Sequence, residues 1–426
     1  MADGNRKIVR SLFAAVCIAS LLSGFAAFAA EAPIVIGSIW SQVGVAAPPG
    51  QAGLRGGRLA VKIVNERGGV FGRPLELKNI DGQSDITVIS NAAIRLIEEV
   101  GVVAACGLCD DSLVSAAGSL FQSGKTPFLV ASATTPTIPS IGDYIFMVPF
   151  GDNYQGRAVA SFCAATLGWK KVAVIRDGAS AYSTELSKFF IEAFREITGD
   201  ENAVVHQEIY RTGDVNFTAQ LTRLRRRCDA DTIDGIVIIP PFPQDSPIIA
   251  KQARRLGIRL PIMLTDGADD PTVIEVGGEH VEGAFISTHF AAEYPLTENA
   301  RRFVEAYAAE YGTEPGAFEC LGFDSVMILA ETIGAIGREK WDSMSLVQKR
   351  TALRDTIQIH AYVTTTMPIS YPDPETVRYP RIPEKPVVFK EIKNGHRVFR
   401  AILDPKDVYE APRAGRAHDS PPEFRR

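Results

Sequence analysis

The residues best suited to ligand chemistry follow short apolar segments that read as strands. Ser and Thr hydroxyls and nearby backbone N–H groups can bind a carboxylate, an aspartate can pair with an ammonium group, and aromatic rings can cover an apolar side chain. Each residue type is also common in turns and helix caps. The candidate ligand contacts are Ser132, Thr134, Thr135, Tyr182, Phe242 and Asp266.

A second candidate is the segment Cys106-Gly107-Leu108-Cys109, a C-x-x-C between a predicted strand and a predicted helix. A thiolate is stabilised at a helix N-terminus, so this segment leaves open a thiol-redox or metal-binding enzyme. A metal would need further ligands, and no second C-x-x-C is present. We favour a structural use, in which Cys106 is a small buried apolar residue and Cys109 a loop residue. The chain also lacks G-x-S-x-G, H-E-x-x-H and G-x-x-x-x-G-K-[ST] motifs. We therefore expect no enzymatic activity, no cofactor and no metal.

Composition narrows the class of protein. The chain has 426 residues, of which 46% are hydrophobic and 22% charged, and this is enough for two globular domains. A formal net charge of −5 argues against nucleic-acid binding, which needs a basic face. Six cysteines in this length do not make a disulfide framework.

The N-terminal segment is typical of a secretory signal peptide. Arg6, Lys7 and Arg10 precede an apolar run from Ser11 to Ala30, and Ala27-Phe28-Ala29 supplies the small residues before a cleavage site. The run approaches membrane-spanning length, so an uncleaved anchor is the alternative. We expect cleavage after Ala29, with 1–29 as the signal peptide and the mature protein exported to the periplasm.

The remaining chain alternates predicted strands with predicted helices. Residues 34–39, 75–80, 102–105 and 128–130 read as strands with helices between them, and Ser84 reads as a helix N-cap. The alternation restarts after Gly151 with strands at 172–175, 204–205, 235–239 and 262–264. Repeated βαβ units predict an α/β fold with two doubly wound parallel-sheet lobes. Ligands bind such sheets beyond the carboxyl ends of the strands, so the loops that carry the candidate contacts would face one another across a cleft.

Several motifs occur together in an order that resembles one family. They are the turn at 65–75 (NERGGVFGRPL), the loop at 132–136 (SATTP), the helix start at 215–221 (VNFTAQL), Glu282-Gly283 before a strand, and Pro368-Ile369-Ser370-Tyr371. From Ile34 to about Phe399 the chain resembles the periplasmic substrate-binding proteins of ABC transporters, in the leucine/isoleucine/valine-binding branch of the type I fold.

That resemblance implies two lobes joined by three hinge strands, near Pro149, Ser287 and Val387. The first lobe would comprise 31–148 and 289–386, the second 149–288 and 387–410, and 411–426 would be a disordered tail. It also implies a small-molecule ligand, a membrane permease as partner and, we expect, a monomeric receptor. The alternative that the protein is a sensor, which uses the same fold to signal to a different partner, is left open.

The resemblance assigns roles to individual residues. Ser132, Ala133 and Thr134 would bind the ligand carboxylate, Tyr182 would follow the first strand of the second lobe, and Asp266 would take the ammonium group, one methylene shorter than the family's usual glutamate.

The chain departs from the family pattern beyond the third strand. Asp110 stands where the family usually has a serine that helps to bind the ligand carboxylate, and Asp111 follows it. A carboxylate at this place would repel a carboxylate ligand unless it were protonated or turned away, and Ser112 would be the substitute if the loop shifted. The sequence therefore leaves open a ligand that is amino acid-like, amide-like, cationic or of another small polar kind.

Overall fold

The structure, a computed structural model, describes residues 31–230, 232–365 and 368–409. The predicted signal peptide and the predicted disordered tail lie outside those residues. Within them, no helix combines the length and apolar character needed to cross a lipid bilayer.

The first sheet has five parallel strands in the order β2-β1-β3-β4-β5. The strands other than the edge strand β2 are almost fully buried, as expected for apolar runs covered on both faces by helices. The strands are β1 (Ile34–Trp40), β2 (Leu75–Asp81), β3 (Ala105–Gly107), β4 (Phe128–Val130) and β5 (Ile145–Met147). The helices between them are α1 (Ala47–Glu66), α2 (Ile86–Ile94) and α3 (Asp111–Ser123).

The second sheet has seven strands in the order β14-β13-β10-β9-β8-β6-β7. Five of them are parallel, and the last two in sequence add an antiparallel hairpin at one edge. The strands are β6 (Val172–Asp177), β7 (Val204–Tyr210), β8 (Gly235–Ile239), β9 (Ile262–Leu264), β10 (Phe285–Thr288), β13 (Val387–Lys393) and β14 (His396–Leu403). The helices are α4 (Asp152–Ser161), α5 (Ala181–Thr198), α6 (Thr218–Ala230), α7 (Asp245–Arg255), α8 (Thr272–Gly277) and, at the end, α13 (Pro405–Tyr409).

Between β10 and β13 the chain returns to the first sheet. The four helices of this segment bury their apolar faces with β1 and β2 in one hydrophobic cluster. They are α9 (Glu298–Tyr311), α10 (Ala317–Ile336), α11 (Arg338–Ser343) and α12 (Leu346–Ile359), followed by a two-stranded hairpin of β11 (Tyr362–Val363) and β12 (Pro368–Ile369). The chain thus passes between two parallel-sheet lobes three times, which confirms the predicted α/β fold class.

Close packing of α1 against α10 directs the N-terminal ends of both helices to the space between the lobes. A Cβ atom at Gly56 would lie 1.9 Å from the Glu319 carbonyl oxygen, and one at Gly322 would lie 2.0 Å from the Gly53 carbonyl oxygen. Only glycine permits this backbone approach.

Three sequence predictions about local structure need correction. The N-cap of α2 is Asp85, which accepts a hydrogen bond from the Val88 N–H, whereas the Ser84 hydroxyl donates to the Val43 carbonyl. The strand expected at 102–105 begins at Ala105 instead. Tyr182 lies in the first turn of α5 rather than in the preceding loop.

Candidate functional site

A small pocket of about 20 Å³ lies between the two lobes, at the carboxyl ends of the strands. Among the described residues that line it there is no lysine, arginine or histidine. The first lobe contributes Pro49, Cys109, Asp110, Asp111, Ser132, Ala133, Thr134 and Phe318, and the second contributes Tyr182, Pro241, Asp266 and Gly267. Pro49 and Phe318 come from the N-terminal ends of α1 and α10.

Asp110 is turned back onto its own helix. Its Oδ1 atom accepts hydrogen bonds from the backbone N–H groups of Ser112 (3.0 Å) and Leu113 (3.2 Å) and from the Ser112 hydroxyl. This is an N-cap of α3, which satisfies donors that would otherwise be open at the helix start. The predicted role of Ser112 as a substitute contact is not supported, because its side chain is exposed, bonded to Asp110 and outside the pocket lining.

Asp111 and Asp152 form a buried pair of carboxyl groups around Thr135. The Thr135 hydroxyl donates to Asp111 Oδ2 at 2.6 Å and lies 3.3 Å from Asp152 Oδ2. Burial raises the pKa of Asp111 to about 7. The hydrogen bonds from Thr135 oppose this rise, and the charges of Asp110 and Asp266 add to it. Burial and the charge of Asp111 raise the pKa of Asp152 well above its usual range. The pair therefore keeps about one proton at neutral pH, where ordinary carboxyl groups would have lost both.

On the opposite lobe Asp266 is the centre of a hydrogen-bond network. Its Oδ1 atom accepts from the Tyr182 hydroxyl and from the Gln155 amide, both at 2.6 Å, and its Oδ2 atom lies 3.3 Å from His289 Nε2. Burial, followed by the charge of Asp266, raises the pKa of the Tyr182 phenol well above 10. Burial lowers the pKa of His289 despite its contact with Asp266, so this ring is neutral at pH 7.

The turn that carries Asp266 is anchored by a buried ion cluster three residues further on. Asp269 accepts from Lys390 Nζ at 2.9 Å and from the Arg397 guanidinium at 2.6 Å, and the Thr288 hydroxyl also donates to it. Burial alone would raise the pKa of Asp269, but the two cations outweigh it and lower that pKa to about 2. The turn is thereby tied to β10, β13 and β14.

Several buried polar atoms in and behind the pocket have no hydrogen-bond partner. The Ser132 hydroxyl lines the pocket, is 4% exposed and is unpaired. Asp152 Oδ1, Gln155 Oε1 and His289 Nδ1 are unpaired behind it. Buried polar groups are normally satisfied, so these atoms indicate a site completed by a polar ligand or by water.

Phe242 does not line the pocket, contrary to the sequence prediction. It is 6% exposed and belongs to a hydrophobic cluster of the first lobe that includes Ile39, Leu108 and Leu113. Because Phe242 comes from the second lobe, after β8, its side chain bridges the two lobes and holds them together in this closed form. The structure brings the other predicted contacts, Asp110, Ser132, Ala133, Thr134, Tyr182 and Asp266, to the pocket.

Sequence reasoning missed the residues behind the lining. Asp152 and Gln155 follow the first crossing between the lobes, and His289 follows the second. These residues could have been predicted from the sequence, because they are polar and lie next to the predicted crossings. Asp111 was noted only as the neighbour of Asp110.

The two cysteines of the C-x-x-C segment do not have the properties of reactive thiols. Burial raises the pKa of the Cys106 thiol to about 12, and burial together with Asp110 and Asp111 raises the pKa of Cys109. Both are free cysteines. Within the described residues, no group of three or more His, Cys, Asp or Glu side chains could hold a metal ion. The arrangement can bind a polar ligand, and neither thiol is ionised as a nucleophile would need to be.

Two parallel-sheet lobes, three crossings and a closed pocket with facing walls define a two-lobed ligand receptor. A family model described as periplasmic binding protein matches residues 33–359, and the chain belongs to that family. The family consists of binding proteins rather than enzymes, so the redox and metal alternative for Cys106 and Cys109 is not supported.

Individual relatives agree with the assignment. The chain is similar to Leu/Ile/Val-binding protein homolog 8 of Brucella suis biovar 1, with 28% identity over 315 residues, which is 69% of this chain and 74% of that protein. The crystal structure of a leucine binding protein, LivK, from Thermotoga maritima has 30% identity and a TM-score of 0.77, covering 88% of this chain and 99% of that one. LivJ of Streptococcus pneumoniae, in complex with isoleucine, has the same fold with 24% identity, a TM-score of 0.77 and coverage of 88% and 100%.

Proposed function

We propose that this protein is the extracytoplasmic receptor of an ABC importer and that it closes its two lobes around a small ligand with a positively charged nitrogen. The observation that carries the proposal is the pocket between the lobes. Asp266 and Tyr182 line it from one side and Asp110 and Asp111 from the other, and its described lining contains no basic side chain. A positively charged ligand is the natural counterpart of such a pocket.

Binding would work by a shift in population between open and closed lobes. In the closed form Asp266 keeps one lone pair of Oδ2 beyond the contact with His289, so it can accept a hydrogen bond from a ligand ammonium. Without a ligand, closure buries several carboxyl groups together, which is unfavourable for their charged forms. A cation stabilises the closed form selectively, and this difference drives closure.

The location and partners follow from the same proposal. The leader at 1–29 would direct export with cleavage after Ala29, and the closed receptor would dock as a monomer on the permease subunits. The lobes would comprise 31–148 with 289–386, and 149–288 with 387–410. The names of the relatives that bind leucine or isoleucine support an amine-bearing ligand, because every amino acid carries an ammonium group.

Calorimetry combined with solution scattering tests this function. Amino acids, amides, polyamines and aromatic acids are screened first by thermal shift, and the ligands found are then titrated. We expect a smaller radius of gyration on binding, and Asp266→Ala and Thr134→Ala should each weaken binding by more than about tenfold, the range for loss of a charged or buried hydrogen bond.

The control variant is Asp85→Asn, which changes an exposed helix cap outside the pocket and should leave affinity unchanged. Unchanged affinity in both site variants, or a radius of gyration that no ligand alters, would contradict the proposed function.

A further inference from the structure

The start of helix α3 is closed to a ligand carboxylate. The N–H groups of Ser112 and Leu113 are the donors that a helix N-terminus would offer to an anion. Both are already bonded to Asp110 Oδ1, as is the Ser112 hydroxyl. Asp110 therefore occupies the anion position with its own carboxylate, while its Oδ2 atom makes no hydrogen bond to any residue that the structure describes.

Carboxyl groups lie at both ends of the pocket. Asp110 and Asp111 follow β3 of the first lobe, and Asp266 follows β9 of the second. An α-amino acid bound with its ammonium group at Asp266 would bring its carboxylate towards Asp110 and Asp111. Like charges brought together in a buried site repel one another strongly.

The walls between the two ends are mainly apolar. Pro49, Ala133 and Phe318 of the first lobe and Pro241 of the second supply them. The Ser132 hydroxyl, 4% exposed and without a partner, is an additional acceptor in the lining. The pocket has a volume of about 20 Å³ in this conformation, so its walls must move apart to admit a ligand. A short methylene chain with a hydrogen-bond donor at each end suits these walls.

We propose that the ligand class is the short α,ω-diamines, with one ammonium group at Asp266 and the other at Asp110 and Asp111, assisted by Ser132. This inference rests on the proposed receptor function and makes it specific. Asp110 acts in it as the group that excludes a ligand carboxylate and accepts a second cation.

The test compares four ligands by calorimetry on the mature protein: 1,4-diaminobutane, butylamine, 4-aminobutyrate and L-leucine. Butylamine lacks the second ammonium group, and 4-aminobutyrate replaces it with a carboxylate at nearly the same length. We expect the diamine to bind about ten- to hundredfold more tightly than butylamine, the worth of one charge-assisted hydrogen bond, and 4-aminobutyrate to bind more weakly than butylamine.

The variant Asp110→Asn tests whether Asp110 binds the second ammonium group of the diamine. Asparagine caps helices as well as aspartate does, so α3 keeps its N-cap while the charge is removed. The variant should reduce the advantage of the diamine over butylamine by about tenfold or more. Asp85→Asn, the same change at the cap of α2, should alter neither affinity.

The outcomes separate this inference from the proposed function. Lobe closure on L-leucine or 4-aminobutyrate at an affinity equal to or above that of the diamine would overturn the diamine assignment and leave the receptor function standing. Diamine binding that Asp110→Asn does not change would also overturn it, as would the absence of diamine binding. Failure of every screened ligand to close the lobes would contradict the receptor function itself.

Discussion

Raising the pH should strengthen the binding of a cationic ligand, because Asp111 holds a proton that a neighbouring cation displaces. Burial is the chief cause that raises the pKa of Asp111 to about 7. A cation beside this carboxylate favours its ionised form and would return the pKa towards its ordinary value of 3.8. Proton linkage between these two values predicts that Kd falls about thirtyfold from about pH 5.5 to about pH 8, or about 2 kcal/mol.

The direction in which affinity changes with pH distinguishes cationic from anionic ligands. A group whose pKa is lowered by the ligand releases a proton on binding, so affinity rises with pH up to the pKa of the free protein. An anionic ligand would need the protonated carboxyl group and would bind more weakly as pH rises. Both ammonium groups of 1,4-diaminobutane remain charged over this range, as lysine does, so the ligand adds no titration of its own.

Calorimetry in buffers of different ionisation enthalpy measures both the affinity and the protons released. We expect close to one proton released per diamine near pH 6. Other groups face Asp111 from the surrounding elements: Asp110 on the same turn, Asp152 on α4, Asp266 on the opposite lobe and, behind it, His289. The variant Asp111→Asn isolates the contribution of Asp111, because its affinity should change far less with pH. A diamine affinity that is constant or falls with rising pH in the unchanged protein would refute the reasoning.

Three further predictions concern the scaffold. Phe242→Ala removes an apolar contact between the lobes, so calorimetry should show ligand affinity lowered by about tenfold or more with little change in the melting temperature of the ligand-free protein. Lys390→Met leaves Asp269 buried beside one cation instead of two and should lower the free energy of unfolding at pH 7 by about 3 kcal/mol in denaturant titrations. Because the pKa of Asp269 is lowered to about 2, this loss should shrink as pH falls below the ordinary value of 3.8. Gly56→Ala should destabilise by about 1–3 kcal/mol, since the new Cβ would meet a backbone oxygen of α10 at 1.9 Å, whereas Gly334→Ala in the same helix pair meets no atom within 4 Å and should be neutral or stabilising in thermal unfolding.

The fold could be predicted because its signals are local. Gly235–Ile239 and Ile262–Leu264 are strands with the predicted bounds, since each is a short apolar, β-branched run between turn residues. The prediction of helix ends was less accurate, because several neighbouring side chains can each cap a helix. Ser84 and Asp85 are adjacent candidates, and only the three-dimensional position of Val43 explains why Ser84 bonds elsewhere.

The site could be predicted only where it follows strand ends. Asp266 and the loop at 132–134 were found in this way. The pairing of Asp111 with Asp152 depends on a contact through Thr135 between residues far apart in sequence, and no local pattern encodes it. Phe242 follows a strand end like the other candidates, but its side chain packs in the core of the opposite lobe. Sequence position alone cannot distinguish a residue of the pocket lining from one that packs in that core.

A crystal structure of the mature protein with 1,4-diaminobutane tests the central claim most directly. The account predicts closed lobes with one nitrogen within hydrogen-bond distance of Asp266 and the other within hydrogen-bond distance of Asp110 or Asp111. A ligand bound outside the pocket between the lobes, or a ligand carboxylate seated against Asp110, would contradict it.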